Sequence, residues 1–240
     1  MTANKKIVGV IGGMGPDATI DFMAKVISLT SADSDQEHIR MLVEHNPHIP
    51  SRQEAMAGTG EDPGAVIASM ATRLEASGAD FIVMPCNAAH GWQDKVVAAA
   101  GIPFVSIIDE SVSAAVRLAP GGGAIGILTT PACFSAGLYQ RALADKQRAA
   151  VMQSPDELAT TMSLIDRIKA GDKSEDIVEG LRELAEQLVT RGATVIIAAC
   201  TELPLVLEQS MFNVPLVSST DALAEKTVEL ALGDSPSPER

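Results

Sequence analysis

The sequence predicts an α/β protein with two similar lobes. Each lobe is a mostly parallel sheet flanked by helices, and a pseudo-two-fold axis relates the two, with the candidate site in the cleft between them. Three observations predict this fold class: short apolar runs alternate with amphipathic segments of helix length, phrases of the first half return in the second, and a cysteine follows one apolar run in each half. With 240 residues, 46% of them hydrophobic, the chain can bury one large core or two smaller ones.

The composition argues against several classes of protein. The formal net charge is −13, whereas nucleic-acid-binding proteins need basic surface to displace counterions. No apolar run approaches about 18 residues, so no transmembrane helix is expected. The start of the chain lacks a signal-peptide pattern, and three cysteines are an odd and low count. We therefore expect a cytoplasmic protein whose cysteines are free thiols.

The first predicted elements are a strand at 6–11, a glycine-rich turn at 12–16 and a helix at 17–31. Asp17 lies near the predicted N-terminus of that helix, and apolar residues follow at helical spacing. The glycine pattern is G-x-x-G-G-x-G, which differs from the G-x-G-x-x-G of dinucleotide-binding folds. We interpret the turn as a place where a carboxylate or phosphate can dock on backbone N–H groups.

The rest of the first half follows the same alternation. A strand at 41–43 leads into a polar loop at 45–52 that contains prolines and ends in Arg52. The loop faces the carboxyl end of the predicted sheet, so Arg52 is a candidate anion-binding residue, although a solvated surface arginine is the commoner case. The other predicted helices are 66–77, 91–100 and 109–118, and the other predicted strands are 81–84 and 102–107.

A linker-like Pro-Gly-Gly-Gly run at 120–123 precedes the point where the alternation restarts. Cys133 and Tyr139 lie in a helix predicted to follow Thr130. The Pro/Ser-rich tail at 233–240 is expected to fray. The remaining predicted helices are 156–170, 174–191 and 221–232, and the remaining strands are 124–128, 150–152, 193–199 and 214–218.

An internal repeat relates the two halves. Three phrases return in order, with the runs from Gly9, Gly78 and Ile102 matching those from Gly126, Gly192 and Val214. The offsets are 117, 114 and 112 residues (126−9, 192−78 and 214−102). In the middle phrase a cysteine follows the glycine by eight residues in both copies (86−78 and 200−192). The repeat predicts two lobes of ordinary domain size, which we assign as 1–103 plus 212–240 and 104–211.

Each predicted lobe places its cysteine at the carboxyl end of a strand, where ligands bind in open α/β sheets. If the lobes face each other, Cys86 and Cys200 approach one substrate atom from opposite sides. Two such groups, one deprotonated and one protonated, can remove a proton from one face of a carbon and return it on the other. The thiolate needs a lowered pKa, for which Asn87, Thr201 and helix starts after both cysteines are candidate sources.

Other uses of these residues stay open. Free cysteines are among the most buried residue types, so both thiols could be structural, but their repeat-related positions before polar residues favour a functional site. A Cys86–His90 pair also suits a hydrolase, which would not explain the cysteine of the second lobe. His90 and Glu202 are candidate partners of the thiols. Cys133 has no counterpart in the first half, and we interpret it as a packing residue.

The chain resembles the aspartate/glutamate racemase family, and its aspartate racemases most closely. The matching segments are GVIGGMGPDAT at 9–19, DQEH and NPHIPSR within 35–52, GADFIVMPCNAAH at 78–90, IKAGD at 168–172 and GATVIIAACTE at 192–202. The resemblance runs from about 6 to 232, and the paired cysteine motifs are its specific part. It implies a racemase without pyridoxal phosphate, metal or other cofactor, with two lobes and a site in the cleft, acting as a homodimer on a small acidic amino acid.

The resemblance also implies roles for individual residues. Cys86 and Cys200 match the two catalytic bases, with Cys200 taking the proton from the L-enantiomer and Cys86 from the D-enantiomer. Arg52 and Lys169 fall where family members hold the substrate's carboxylates. The matching positions around the α-carboxylate and amino group are Asn87, Ala88, Thr130 and Thr201, and the candidates for supporting contacts are Met14, His90 and Glu202.

One residue departs from the family pattern. Family members often carry threonine where this chain has Ala88, so a hydroxyl donor is missing. We expect a racemase that interconverts L- and D-aspartate, with glutamate as a further candidate substrate. The alternatives are another cofactor-independent isomerase or decarboxylase of small dicarboxylic acids, a hydantoin racemase, and a non-catalytic protein that binds small acids. Arg52 together with Lys169 favours a dicarboxylate over a hydantoin.

Overall fold

The computed structural model describes residues 5–233, so nearly all of the tail that was expected to fray lies outside the described residues. Strands and helices alternate along the chain. The strands are β1 (Val8–Gly12), β2 (Met41–His45), β3 (Phe81–Val83), β4 (Phe104–Val105), β5 (Ala124–Thr129), β6 (Ala150–Met152), β7 (Ala193–Ala199) and β8 (Leu216–Ser218). The α-helices are α1 (Pro16–Leu29), α2 (Arg52–Met56), α3 (Gly64–Ala76), α4 (Gln93–Ala99), α5 (Ile107–Leu118), α6 (Pro131–Ser135), α7 (Leu138–Asp145), α8 (Pro155–Lys169), α9 (Glu175–Thr190) and α10 (Ser219–Leu232).

The strands form two parallel sheets with the same internal order. The first sheet runs β2-β1-β3-β4 and the second β6-β5-β7-β8, so each strand of the second sheet corresponds to the strand four places earlier. Every residue of β1 and β3 is buried, which explains why these strands are continuous apolar runs without alternation. The predicted fold class, two similar parallel α/β lobes, is confirmed.

A glycine–alanine contact recurs in both lobes and shows the repeat at atomic scale. A Cβ added to Gly9 on β1 would lie 3.0 Å from the Ala79 Cβ, and a Cβ added to Gly126 on β5 would lie 2.9 Å from the Ala193 Cβ. In each lobe, therefore, the central strand has no room for a side chain where the third strand approaches it. Two of the repeated phrases of the sequence supply this contact: the phrases that begin at Gly9 and Gly126 supply the glycine, and those that begin at Gly78 and Gly192 supply the alanine.

The helices that follow the two sheets connect the lobes. α5 comes after the first sheet but packs on β7 and β8 of the second, while α10 comes after the second sheet and packs on α1 of the first lobe as well as on α5, β7 and β8. The assigned lobe boundaries remain a prediction. They place β4 in the second lobe and β8 in the first. In the structure, however, β4 pairs with β3 of the first sheet and β8 pairs with β7 of the second.

Local elements differ from the predictions in several places. Cys133 and Tyr139 do not share one helix, because Gly137 at φ +63° separates α6 from α7, and β4 is shorter than the strand predicted at 102–107. Arg52 does not end a loop, because it is the first residue of α2, and the Ser51 side chain caps this helix by accepting a hydrogen bond from the Glu54 N–H. The helix predicted at 91–100 begins as a 3₁₀ turn, Ala88–Trp92, before α4. No helix within residues 5–233 combines the length and the apolar character needed to cross a membrane.

Candidate active site

A small pocket lies between the carboxyl edges of the two sheets. In each sheet the chain adds strands on one side of the first strand and then on the other, so the order changes between β1 and β3 and between β5 and β7. Open α/β folds bind ligands at this position. Met14 follows β1 and Cys86 follows β3, while Thr130 follows β5 and Cys200 follows β7. The pocket is therefore built by the equivalent edges of both lobes, as the repeat predicts.

Nearly all residues singled out from the sequence line this pocket. They are Met14, Arg52, Cys86, Asn87, Ala88, Thr130, Lys169, Cys200, Thr201 and Glu202. His90 is the exception, since it lies behind the pocket wall. Ser51, Gln53 and Ala199 also line the pocket and were not predicted. Ser51 and Gln53 could have been found from the Ser51-x-x-Glu54 pattern, because it is typical of a helix that starts at Arg52.

The glycine-rich turn positions Met14 because its backbone is confined on both sides. Gly13 has φ +97°, and a Cβ there would lie 2.4 Å from the backbone carbonyl of Asn46 after β2. The Gly13 N–H donates a 2.9 Å hydrogen bond to the Thr19 hydroxyl on α1. Only glycine combines this conformation with so close a backbone approach. The turn thus joins β1, β2 and α1 directly below the pocket.

Cys86 and Cys200 are both free thiols, and each is 7% exposed. Burial raises the pKa of Cys86, opposed by the positive charge of Arg52. Burial also raises the pKa of Cys200 well above its ordinary value, and the negative charge of Glu202 adds to this effect. The helix starts expected after the cysteines are only 3₁₀ turns, Ala88–Trp92 and Leu203–Leu205, which supply little dipole. The expected lowering of the thiol pKa values is therefore not found.

Glu202 is the immediate partner of Cys200. The Cys200 Sγ–H donates to Glu202 Oε2 at 2.9 Å, and the Thr201 hydroxyl approaches the same oxygen at 3.5 Å. Glu202 is only 4% exposed, and its other oxygen, Oε1, has no hydrogen-bond partner among the described residues. A buried carboxylate two residues from a thiol is well placed to accept its proton.

Two cationic side chains reach the pocket from opposite lobes. Arg52 starts α2, and its Nη1 donates to the backbone oxygens of Ile49 and Pro50 at 3.2 and 3.1 Å. Its buried Nε has no partner. Lys169 is the last residue of α8. No ion pair within residues 5–233 involves either side chain. Both charges therefore remain available to an anionic ligand.

The polar residues near the cysteines form hydrogen bonds with other protein groups and not with the thiols. Asn87 Nδ2 donates to the Ser219 hydroxyl at 3.0 Å, and the Thr130 hydroxyl accepts a 3.4 Å bond from the Cys133 N–H at the start of α6. Ala88 presents a methyl group at the pocket wall. Cys133 is buried in the core, in keeping with a packing residue. Neither Asn87 nor Thr201 bonds to a thiol, although both were candidate donors.

His90 holds the backbone around Cys86 and does not bind its thiol. The Ile107 N–H donates to Nε2 at 3.1 Å, so Nδ1 carries the proton and donates to the Cys86 carbonyl at 2.8 Å. Burial lowers the pKa of His90 to about 4. Both ring nitrogens are occupied by backbone groups and the ring is neutral. This geometry disfavours a Cys86–His90 hydrolase, whose histidine must contact the sulfur.

His90 should make folding stability depend on pH. The unfolded chain binds this proton near pH 6.5 and the folded chain near pH 4, so the contribution is complete above pH 6.5 and is lost as the pH falls toward 4. We expect His90→Gln to cost about 3 kcal/mol more unfolding free energy at pH 7 than at pH 4. Urea unfolding at both pH values measures this difference. The exposed His48→Gln is the control, and equal costs for His90→Gln at both pH values would contradict the assignment.

Comparison with known proteins identifies the family. A sequence model for Asp/Glu/hydantoin racemases matches residues 11–227. The chain belongs to the Asp/Glu/hydantoin racemase family. It is therefore an isomerase of the racemase class, as the resemblance in its sequence implied. The match includes both cysteine motifs and every residue lining the pocket.

Individual relatives extend over nearly the whole chain. The broad-specificity amino-acid racemase RacX of Bacillus subtilis is 29% identical over 230 residues, which are 94% of this chain and 98% of RacX. The structure of Picrophilus torridus aspartate racemase is 34% identical with a TM-score of 0.79 and covers 94% of each chain. A Francisella tularensis glutamate racemase solved with D-glutamate has a TM-score of 0.72 at 17% identity, covers 99% of this chain and 87% of its own, and shows the shared fold alone.

Proposed function

We propose that this racemase interconverts L- and D-aspartate by a two-base mechanism that uses Cys86 and Cys200. The observation that carries the proposal is the pocket itself, in which one thiol from each lobe faces a space shared with two unpaired cations. Two thiols on opposite lobes suit proton removal and return on opposite faces of one carbon. The cations suit the carboxylates of a small acidic amino acid.

The proposed reaction removes one proton from one face of Cα and adds one proton to the opposite face. For L-aspartate, the Cys200 thiolate takes the Cα proton, so the C–H bond breaks, an S–H bond forms and the electron pair stays on the carbon skeleton. The Cys86 thiol then gives its proton to the opposite face and becomes the thiolate. For D-aspartate the same steps run in reverse from Cys86. No net charge is gained or lost, and the two thiols exchange protonation states.

Because burial raises the pKa of both thiols, substrate binding has to promote thiolate formation in this mechanism. A substrate ammonium group adds positive charge beside both sulfurs, which favours thiolate over thiol. Glu202 offers a route for the Cys200 proton, because its carboxylate already accepts the Sγ–H bond at 2.9 Å. Arg52 is the largest influence that lowers the pKa of Cys86. Each thiol thus has its own supporting group.

Glu202→Gln should slow turnover while leaving substrate binding largely intact. The amide cannot accept and hold the Cys200 proton, so we expect kcat to fall by about 100-fold and the KM for aspartate to change little. The rate should also rise toward higher pH, because the thiol must then lose its proton to solvent. Steady-state racemisation between pH 6 and 10 measures both effects. The exposed Glu179→Gln on α9 is the control, and wild-type kcat in Glu202→Gln would remove the carboxylate from the mechanism.

Aspartate is the proposed substrate because Arg52 and Lys169 bring two positive charges to one pocket. Glutamate offers the same groups with one more methylene. A wider substrate range has support from two observations: the similarity to a broad-specificity racemase over nearly the whole chain, and the methyl group of Ala88 where a threonine hydroxyl is common in the family. Racemisation of aspartate, glutamate and neutral amino acids side by side would rank these candidates.

The decisive experiment incubates the wild-type protein with L-aspartate in deuterated water. The proposal expects deuterium at Cα together with the appearance of D-aspartate, with no cofactor added. Consumption of aspartate with loss of CO₂ would favour a decarboxylase. Ligand-induced thermal stabilisation without exchange would favour a non-catalytic binding protein. Activity that depends on added pyridoxal phosphate or metal would overturn the cofactor-independent mechanism.

Assembly and location complete the proposal. A homodimer and a cytoplasmic location follow from the family resemblance and the composition, and both remain predictions. Light scattering coupled to size-exclusion chromatography tests the first, and fractionation of expressing cells tests the second. The proposed site lies within one chain, because the pocket is lined by residues from both of its own lobes.

A further inference from the structure

A buried polar cluster lies behind the Cys86 side of the pocket. Tyr139 on α7 is 1% exposed, and its hydroxyl donates to Asn87 Oδ1 at 2.5 Å. Asn87 Nδ2 in turn donates to the hydroxyl of Ser219, the first residue of α10. Tyr139 has no part in the proton transfer described above. A buried hydroxyl of this kind is held for a structural or a positioning purpose.

The Tyr139–Asn87 hydrogen bond joins the two lobes. Asn87 follows β3 of the first sheet and is adjacent to Cys86, whereas α7 lies after β5 of the second sheet. Ser219 begins α10, the helix that returns the chain to the first lobe. The Asn87 side chain, next to Cys86, is therefore hydrogen-bonded to Tyr139 of the opposite lobe and to Ser219 of α10.

The cluster determines which end of the Asn87 amide faces the pocket. An amide offers an oxygen acceptor and two N–H donors. The oxygen accepts from Tyr139, and one N–H donates to Ser219. The second N–H has no partner among the described residues, and Asn87 lines the pocket. The donor that remains for a substrate at this position is this second N–H.

Tyr139 keeps this role across the pH range of the enzyme. Burial raises the pKa of Tyr139 well above its ordinary value, and the neighbouring Cys133 adds to the effect. The phenol stays protonated and can donate, and its 2.5 Å distance to Asn87 Oδ1 is typical of an O–H···O bond. An O–H group that cannot ionise holds the amide in one orientation more reliably than one that can.

We propose that Tyr139 is a positioning residue that fixes the Asn87 amide so that its N–H binds a carboxylate of the substrate. Asn87 then contacts the carboxylate through the amide N–H that bonds neither Tyr139 nor Ser219. This inference rests on the proposed racemase function, and it narrows the role of Asn87 from a general polar contact to one donor for one group.

Tyr139→Phe tests the inference, because it removes the hydroxyl and keeps the ring. A donor that contacts the carboxylate equally in the ground and transition states affects binding alone, so we expect the KM for aspartate to rise about tenfold with kcat nearly unchanged. A merely structural role would lower the folded fraction, which reduces kcat at constant KM. That second pattern would overturn the proposal.

A double-mutant cycle shows whether Tyr139 acts through Asn87. If it does, adding Tyr139→Phe to Asn87→Ala should change the KM by less than twofold, whereas independent contributions would multiply. Thr227→Val on α10 is the control, since it removes another fully buried hydroxyl, one that bonds only to the Leu223 carbonyl. It should leave the KM unchanged. Multiplying effects in the double variant would contradict the proposal.

A second measurement does not need turnover. The side-chain amide of Asn87 gives a pair of ¹H–¹⁵N NMR signals, which Asn87→Ala identifies by their loss. In Tyr139→Phe these signals should shift and exchange faster with water, and unchanged signals would overturn the positioning role. A wild-type protein that does not exchange the Cα proton of aspartate would refute the proposed function, while the NMR result would still decide how Asn87 is held.

Discussion

Replacing either Cys86 or Cys200 by serine should abolish racemisation of aspartate in both directions. The serine hydroxyl is similar in size but far less acidic than a thiol, so it fails as a base under conditions in which cysteine succeeds. We expect losses of about a thousandfold or more, since each cysteine supplies acid–base catalysis in one half of the reaction. The folded structure should persist, because both side chains face the pocket.

The two serine variants should differ in hydrogen exchange although they are equally inactive. The enantiomers have equal free energy, so any variant must lose kcat/KM by the same factor in both directions. The surviving base can still exchange one enantiomer: Cys86→Ser should exchange the Cα proton of L-aspartate, and Cys200→Ser that of D-aspartate. NMR in deuterated water follows each enantiomer separately. Cys133→Ala is the control outside the pocket, and near-normal racemisation by either serine variant would end the two-base mechanism.

Arg52→Ala should lower kcat/KM for aspartate by roughly 100- to 1,000-fold. Removing one partner of a desolvated charge pair typically costs several kcal/mol, and each 1.4 kcal/mol corresponds to tenfold. Arg52 is positioned for this role by two backbone carbonyls and has no carboxylate partner among the described residues. Because its charge also opposes the rise in the pKa of Cys86, the pH profile should move to higher pH in the variant.

Two further variants sharpen the test of Arg52. Arg52→Lys keeps the charge but loses the planar group that grips a carboxylate with two N–H donors, so we expect an intermediate loss. Arg73→Ala removes an exposed arginine that pairs with Glu44 outside the pocket, and its kinetics should match the wild type. Unchanged kinetics of Arg52→Ala on aspartate would show that the substrate carboxylates bind elsewhere.

Most of the fold could be predicted because its signals are local. β6 and β7 occupy the predicted ranges, and α8 and α9 lie within one residue of theirs. Parallel strands buried on both faces are short apolar runs, and the helices between them are amphipathic, so both patterns are visible along the chain. α2 was missed because prolines dominated the segment before it, although Ser51-x-x-Glu54 marks its start. Strands β4 and β8 fell across the assigned boundaries because strand pairing is not a local property.

The candidate site could be predicted only in outline. The internal repeat was enough to bring Cys86 and Cys200 together. The position of Arg52 after a predicted strand made it a candidate anion-binding residue, and the family resemblance added Lys169; both line the pocket. Two contacts had no signal in the sequence. The Tyr139 hydroxyl and Asn87 are 52 residues apart in the chain, and the Ala132 N–H donates to Gln53 Oε1 across 79 residues. Such contacts depend on how the lobes dock.

By itself, the sequence determined that this chain has two α/β lobes, that each lobe ends a strand in a cysteine motif, and that the protein is related to racemases. These features follow from periodicity, repetition and motifs, which are properties of neighbouring residues. Only the tertiary structure decided the state of the thiols. Burial raises their pKa, a buried carboxylate accepts a hydrogen bond from the Cys200 thiol, and both nitrogens of His90 are taken by backbone groups. Solvent exclusion and charge proximity arise because the two lobes pack together around the pocket, and no single segment of the chain contains them.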